Sequence, residues 1–343
     1  MNQTMKCTMN QTMKFNTVIA VAATRASQLS ARMSHTRAAL AAVIYISEGR
    51  NALVLDKIEA IARKVSIAAR PVALVNCFKD AEYNRTGYTF AGRDAGDVAR
   101  AALHVASASL QLIDLRAHAA THPRVGVVDH VSVHSLHASR RSEAADLARE
   151  IGSALGAFGV PVKLYGDAAS DGVGLDEIRR RSGYFSGAAG GAWQGEFSAR
   201  GGFVFDYGPA VVPEREGFAM VGAVPWVCNY NVPLVFAFGE DVDAAQRMTR
   251  AMAFGRAVAK RVSQRGGGLQ SVQSMALPHG DKVEVACNLL DVEVSSTADV
   301  QRATEEVVAG IDMREFLIKS IVVEEGYVTN QTPESISAAI DAL

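Results

Sequence analysis

Five of the eight histidines lie between His118 and His137, and one of them, His122, directly precedes Pro123. Proline disfavours the helical region for the residue before it, so His122 is expected on a loop between a helix and a strand. Imidazole exchanges protons readily near neutral pH, and loops held by rigid elements often carry catalytic groups. His122 is therefore a candidate for acid–base chemistry, and the alternative is an ordinary surface histidine.

The same cluster of histidines could also suggest a metal site. His118 and His122 are four residues apart, and His130 and His134 would share one face of a strand, spacings at which imidazoles can ligate zinc. However, Pro123 breaks the helical geometry of the first pair, and no acidic residue or cysteine completes either set. The sequence therefore favours proton transfer without a metal.

Longer motifs surround these histidines. The residues His122, Pro123, Arg124, Gly126 and Asp129 form the string His-Pro-Arg-x-Gly-x-x-Asp. Other short segments follow one another between about Ile46 and Val328: Ser47-Glu48-Gly49 with Asn51, Asn84 to Phe90, Gln111 to Asp114 with His118, Leu164 to Gly166, Asp206 to Gly217, Asn229 with Asn231, and Asn288 to Asp291. In content and order these segments resemble the glutamate formiminotransferase family, folate-dependent enzymes of histidine breakdown that are often fused to a cyclodeaminase.

The resemblance implies a reaction and the residues that carry it. The chain would be a stand-alone homologue that moves a formimino group from formiminoglutamate to N5 of tetrahydrofolate, which serves as co-substrate, with no metal. His122 would act first as general base and then as general acid. The family's folate-binding segment corresponds to Gly208, Pro209, Ala210, Val211, Val212, Pro213, Glu214, Arg215, Glu216 and Gly217.

Arginines are candidates for binding the carboxylates of both substrates, because guanidinium binds carboxylate through two parallel hydrogen bonds. Arg85 and Arg124 lie in matched motifs and are the tentative choices, with a structural salt bridge as the alternative. The run from Arg179 to Arg181 is more typical of a solvated helix face.

Two departures from the family favour a different class of function. Tyr45-Ile46 stands where the family has Pro-Asn, and Glu214 to Glu216 replaces a segment that bears serine and tryptophan. These changes suit a folate-binding protein on the same scaffold with weak or no transferase activity. Retention of His122, Arg124 and Asp129 favours the enzyme.

Composition narrows the function classes further. The chain has 343 residues and a formal net charge of −1, which argues against a nucleic-acid-binding surface. No apolar run approaches the length that crosses a membrane. The four cysteines are scattered, which indicates free thiols and not a disulfide framework.

The elements that must position these residues alternate between strand and helix. Expected strands and helices run in order from Ala38 to His134: strand Ala38–Ile46, helix Asp56–Val65, strands Val72–Cys77 and Gly87–Gly92, helix Asp97–Ile113, strand Gly126–His134. A helix from Ser142 and a strand Val160–Tyr165 follow, and a stretch rich in Gly, Ala and Ser, 186–202, is expected to be a long loop.

The second half repeats the same β-α-β-β-α-β order. Strand residues are expected from Phe218 to Phe236, interrupted by Pro225 and Pro233, followed by a helix Glu240–Val262, strands Leu269–Ala276 and Lys282–Leu289, a helix around Val300 to Ile311 and a strand Phe316–Val323. The prediction is an α/β protein with two ferredoxin-like subdomains, residues 38–222 and 223–334. As in the family it resembles, their sheets would face each other across a cleft, and the protein would be a homodimer.

The first 37 residues differ in composition from the rest. No Asp or Glu precedes Glu48, while Lys6, Lys14, Arg25, Arg32 and Arg37 supply positive charge. This composition predicts a transit peptide for a chloroplast or mitochondrion, and the alternative is an unstructured tail. On either interpretation, this segment is expected to bury no matched apolar face.

Overall fold

The computed structural model describes residues 13–25, 39–68, 72–184 and 204–343. Contacts between residues divide the chain into two compact units. The first ends at Pro225 and also includes residues from Pro333 to the end, and the second is Trp226–Thr332.

The first unit contains a six-stranded sheet with the strand order β2-β3-β1-β4-β6-β5. Its strands are β1 (Leu40–Ile46), β2 (Val72–Asp80), β3 (Arg85–Gly92), β4 (Val128–Ser135), β5 (Val162–Gly166) and β6 (Ala219–Ala223). Its helices are α1 (residues 13–25), α2 (Ala52–Ala68), α3 (Ala95–Leu112), α4 (Arg141–Ala157), α5 (Leu175–Arg181) and α8 (Pro333–Asp341). Strands β2, β3, β1 and β4 pair antiparallel, and β4, β6 and β5 pair parallel.

Alternation along the strands gives this sheet one apolar and one polar face. Leu40, Ala42, Ile44 and Ile46 of β1 belong to the main core, together with buried residues of helices α2, α3 and α4. Because successive side chains of a strand point to opposite faces, the intervening residues project from the other side. That second face bears the polar groups that form the candidate site.

The second unit contains a sheet whose main strands are ordered β10-β7-β9-β8, with β11 paired to β7. Its elements are β7 (Cys228–Phe238), α6 (Ala244–Val262), β8 (Val272–His279), β9 (Lys282–Leu289), α7 (Thr297–Ala309), β10 (Ile318–Val323) and β11 (Tyr327–Val328). Residues of α6, α7 and one side of the strands form its core. The predicted α/β class with two subdomain-sized sheets is confirmed, and the ferredoxin-like classification of each remains a prediction.

The N-terminal segment differs from its prediction in one respect. Residues 13–25 form helix α1, and Phe15, Ile19, Ala22 and Ala23 are buried along one side of it. The ring of Phe15 packs edge-on against Phe158, with centroids 4.4 Å apart. The expectation that this segment buries no apolar face is therefore wrong for residues 13–25, because the apolar residues recur at helical spacing.

Other elements follow their predictions with shifted ends. Helix α2 begins earlier than expected, since the Glu48 carboxylate accepts the backbone N–H groups of Gly49, Arg50 and Asn51 ahead of it. Pro225 separates β6 from β7, whereas Pro233 lies inside β7, where its carbonyl accepts the Glu324 N–H. The loop predicted at 186–202 lies outside the described residues. None of the described helices is long and apolar enough to cross a bilayer.

Candidate active site

His122 lies on the loop between α3 and β4, as its position before Pro123 predicts. The loop is tied to the end of β1 by Ser47, whose N–H donates to the carbonyl of Val127 at 2.9 Å and whose hydroxyl donates to Gly126 at 2.7 Å. A segment far away in the sequence thus holds the histidine loop against the sheet.

Asn84 connects three of the sequence motifs. It adopts a positive φ of 47°, which asparagine tolerates better than most residues. Its Oδ1 accepts from the N–H of Gly49 at 2.8 Å, and its Nδ2 donates to the carbonyl of Ala119 at 3.0 Å. Arg50 reinforces this junction by donating to the Ala81, Glu82 and Ala119 carbonyls. The separate motifs therefore meet at one place in the fold.

The hydrogen bonds of His122 define its neutral form. Nδ1 lies 2.7 Å from the carbonyl oxygen of Pro123, which can only accept, and 3.1 Å from Nη1 of Arg85, which can only donate. The shorter contact favours the tautomer with the proton on Nδ1 and the lone pair on Nε2, which lies 3.5 Å from Nη1 of Arg85. The half-buried ring has Tyr83 and Tyr184 edge-on at centroid distances of 5.4 and 6.3 Å. Burial, and then the charge of Arg85, hold the pKa of His122 well below its ordinary value. At neutral pH this imidazole is an uncharged base.

Arg85 lies between Asp129 and His122 and contacts both side chains. Its Nη1 is 3.0 Å from Oδ2 of Asp129 and 3.1 Å from Nδ1 of His122. The pairing of β1 with β4 shifts register so that Tyr45 faces His130 and Ile46 faces Val128, which leaves Asp129 as the extra residue of a bulge. The bulge is consistent with a carboxylate that reaches both Arg85 and the Val125 N–H, 2.7 Å from Oδ1.

The ring of Tyr45 contacts both Arg85 and His130. The Arg85 guanidinium carbon lies 4.2 Å from the centre of the Tyr45 ring, which stacks on His130 at a centroid distance of 5.9 Å. A Cβ at Gly87 would lie 2.6 Å from that ring, so the glycine is required for the ring to lie flat across β3. The departure from the family at Tyr45 therefore places an aromatic cation-binding surface directly under Arg85.

Arg124 is engaged by protein groups on the other side of the loop. Its guanidinium donates to Nδ1 of His118 and to the carbonyl of His122, while Nε2 of His118 donates to the Asn84 carbonyl at 3.1 Å. Burial, and then Arg124, lower the pKa of His118 to about 3. Burial lowers the pKa of Arg124 to about 10, which still leaves it charged at neutral pH. Arg124 thus shapes the backbone that presents His122.

A buried polar chain continues along the same face of β4. Nε2 of His130 lies 2.7 Å from the hydroxyl of Tyr165, and Tyr165 is hydrogen-bonded to Ser132. Ser132 donates to Nε2 of His134 at 2.8 Å, because Nδ1 of His134 donates to the carbonyls of Val224 and Pro225. These histidines are occupied by hydrogen bonds, and no group of three or more potential metal-ligating side chains occurs among the described residues.

The predicted folate segment meets the histidine loop at one end. The N–H of Val127 donates to Glu216 at 2.8 Å, and the N–H of Phe218 donates to Val125 at 2.9 Å. A Cβ on Gly126 would lie 2.2 Å from the Phe218 carbonyl oxygen, which explains the glycine at this crossing. Residues 208–211 are exposed, whereas Arg215 donates to the Leu110 and Gln111 carbonyls at the end of α3.

Arg179 is a site residue that the sequence prediction missed. Its guanidinium carbon lies 4.7 Å from the centre of the Tyr184 ring, which is edge-on to His122. Its charge contributes, after burial, to lowering the pKa of His122 and His130. The interpretation of the arginine run as a solvated face is therefore wrong for Arg179, although it fits Arg180 and Arg181, which are exposed. Helical spacing could have shown this, because Arg179 lies four residues after Leu175 and next to buried Ile178.

Together, the fold and the site define an α/β enzyme with a neutral imidazole among several guanidinium groups. The family model for the N-terminal subdomain of the formiminotransferase domain matches residues 39–224. The chain therefore belongs to the formiminotransferase family, whose members are transferases.

Named relatives agree with this assignment. A formiminotransferase cyclodeaminase-like protein of Arabidopsis thaliana is 38% identical over 304 residues, 85% of this chain and 93% of the relative. A glutamate formimidoyltransferase of Thermoplasma acidophilum is 28% identical over 71% of this chain and 74% of its own length. The formimidoyltransferase-cyclodeaminase of Sus scrofa is 31% identical over 75% of this chain, which spans 45% of that longer protein.

Proposed function

We propose that this protein transfers a formimino group from formiminoglutamate to N5 of tetrahydrofolate. The observation that carries the proposal is His122, a half-buried neutral imidazole with an available lone pair beside cationic residues. The relatives named for formimidoyl transfer support the choice of reaction.

In the proposed reaction, N5 of tetrahydrofolate attacks the formimino carbon and forms a tetrahedral intermediate. Nε2 of His122 accepts the proton that N5 loses. The resulting imidazolium then gives a proton to the glutamate nitrogen, and the bond between that nitrogen and the formimino carbon breaks. The products are glutamate and 5-formiminotetrahydrofolate, and His122 returns to its neutral form.

We propose that reduced folate binds along residues 208–217, near His122. The exposure of residues 208–211 and the hydrogen bonds that join residues 216–218 to the histidine loop support this location. A folate-binding protein with weak or no transfer is the second candidate. The second candidate is favoured by Arg215, because its guanidinium already donates hydrogen bonds to the Leu110 carbonyl at the end of α3 and to the Glu216 carboxylate.

One assay separates the two candidates. Purified protein is incubated with tetrahydrofolate and formiminoglutamate, and 5-formiminotetrahydrofolate is followed by its absorbance. Turnover that falls by about a hundredfold or more in His122→Ala supports the transferase. His104→Gln, which changes a histidine of α3, serves as the control. Binding of tetrahydrofolate by calorimetry without turnover would favour the second candidate, and absence of both would refute the proposal.

A further inference from the structure

We infer that Arg179 binds a carboxylate group of the formimino donor, a role for which Arg85 and Arg124 were the sequence candidates. This inference rests on the proposed function for the identity of the ligand. It assigns a different task to each of the three arginines around His122.

Arg179 differs from its neighbours on α5 in what its side chain contacts. Arg180 lies 2.5 Å from the Asp176 carboxylate and Arg181 lies 3.9 Å from Glu177, so both neutralise charges on the outer side of α5. Arg179 follows Ile178, which is 1% exposed, and its guanidinium packs over the ring of Tyr184, which is buried. Its neighbours on the helix therefore do not neutralise it.

The guanidinium of Arg179 lacks a hydrogen bond at Nε within the described part of the chain. This Nε is buried, and the carboxylates of α5 pair with Arg180 and Arg181. The guanidinium carbon of Arg179 lies 4.7 Å from the centre of the Tyr184 ring, which also lies edge-on to the ring of His122. A stacked guanidinium keeps its edge free, and that edge matches the two oxygens of a carboxylate.

The other two arginines are already paired through their terminal nitrogens, although the buried Nε of Arg85, like that of Arg179, has no hydrogen-bond partner among the described residues. Arg85 is paired with Asp129 and stacked on Tyr45, while Arg124 is bonded to His118 and to the loop backbone. Asp129 contributes a favourable charge to both Arg85 and Arg124. These two arginines position the loop, and Arg179 is left to meet an anion that arrives with the substrate.

Calorimetry with N-formyl-L-glutamate, an analogue of the donor, in the absence of tetrahydrofolate tests the inference without requiring turnover. Arg179→Gln is expected to weaken binding about tenfold to a hundredfold, since a hydrogen-bonded charge pair is lost. Arg179→Lys should fall between this variant and the wild type, because lysine keeps the charge but not the planar fork. Arg180→Gln, on the same helix and exposed, is the matched control and should bind as the wild type does.

Kinetics then separate this inference from the proposed function. Arg179→Gln should raise KM for formiminoglutamate and leave KM for tetrahydrofolate near the wild-type value. Binding that depends on Arg179 in a protein without transferase activity would support the inference and refute the function. A wild type that does not bind the analogue, an Arg179→Gln variant that binds it normally, or equal competition by inorganic phosphate would each overturn the inference. A melting temperature for Arg179→Gln close to that of Arg180→Gln excludes a folding defect.

Discussion

At the scale of single residues, the charge state of His122 controls what the site can do. A base must be uncharged to accept a proton, and burial together with Arg85 keeps His122 neutral well into the acidic range. The same effects make it a weaker base than free imidazole. A bound carboxylate would offset the arginine charges and raise the basicity of His122 when substrate is present.

The pH dependence of kcat/KM should reflect this environment. In the wild type, the acidic limb is expected below pH 6.5, because the pKa of free-enzyme His122 is lowered. Arg85→Gln removes a positive charge, so the pKa of His122 rises and the limb moves to higher pH. Arg116→Gln, which changes an exposed arginine paired with Asp114 on the same loop, should leave the limb in place. A wild-type midpoint at or above pH 6.5 would contradict this prediction.

Tyr45 is expected to contribute to kcat through its aromatic ring and not through its hydroxyl. Tyr45→Leu removes the aromatic surface under Arg85 and is expected to lower kcat about threefold to thirtyfold, the range given by a cation–π contact. Tyr45→Phe keeps the ring and should retain most activity. Steady-state kinetics and melting temperatures of the pair provide the measurement. Equal activities of the Leu and Phe variants would rule out a role for the stacked ring.

At the scale of elements, strand β4 brings together two histidines that are buried and uncharged. Burial lowers the pKa of His134 to about 4, and burial with Arg179 and Arg85 lowers that of His130. In the unfolded chain both would titrate near pH 6.5. Between these values the unfolded state binds more protons, so folding is favoured as pH rises. The stabilisation is complete above about pH 6.5 and is lost as pH falls toward 4.

The melting temperature should therefore depend strongly on pH in the acidic range. The melting temperature is expected to fall by at least about 5 °C between pH 7.5 and pH 5. His134→Gln should reduce this fall, because one of the buried titrating groups is gone. His137→Gln, which changes an exposed histidine just after the strand, should not. A pH dependence that is unchanged by His134→Gln would show that the buried chain on β4 does not control acid stability.

At the scale of the whole molecule, helix α1 adds to the core of the first unit. Phe15 is 6% exposed and Ile19 is 2% exposed, whereas Val21 of the same helix is 48% exposed. Truncating a buried phenylalanine removes apolar contacts and leaves a cavity. Phe15→Ala should therefore lower the melting temperature by several degrees, and Val21→Ala should not. Equal melting temperatures by calorimetry would show that α1 does not contribute to stability.

Targeting by the N-terminal segment is a separate prediction. Residues 1–36 combine basic and hydroxylated side chains without acid, which favours import into a chloroplast or mitochondrion. A fusion of these residues to a fluorescent protein should enter one of these organelles. A second fusion in which Lys6, Lys14, Arg25 and Arg32 are replaced by Gln is the control and should stay outside. Cytosolic fluorescence of the first fusion would refute the prediction.

The sequence alone determined most of the elements and the position of His122. Most strands and helices from β1 to β10 follow from apolar spacing, with α5 as an exception. The loop before β4 follows from the steric effect of Pro123 on the residue before it. These rules act over a few residues, so a short stretch of sequence is enough to apply them. The collinear motifs likewise pointed to the family before any geometry was known.

Only the tertiary structure decided which charged side chains are paired with other groups of the protein. Arg85 and His122 are 37 residues apart, and they meet because β3 and β4 both pair with β1 and a bulge redirects Asp129. Helical spacing puts Arg179 on the same side of α5 as Leu175, but its separation from Arg180 and Arg181 in function depends on how α5 packs in the fold. Partners of a long charged side chain depend on strand order and helix docking. These arise from contacts between distant segments, which local patterns do not encode.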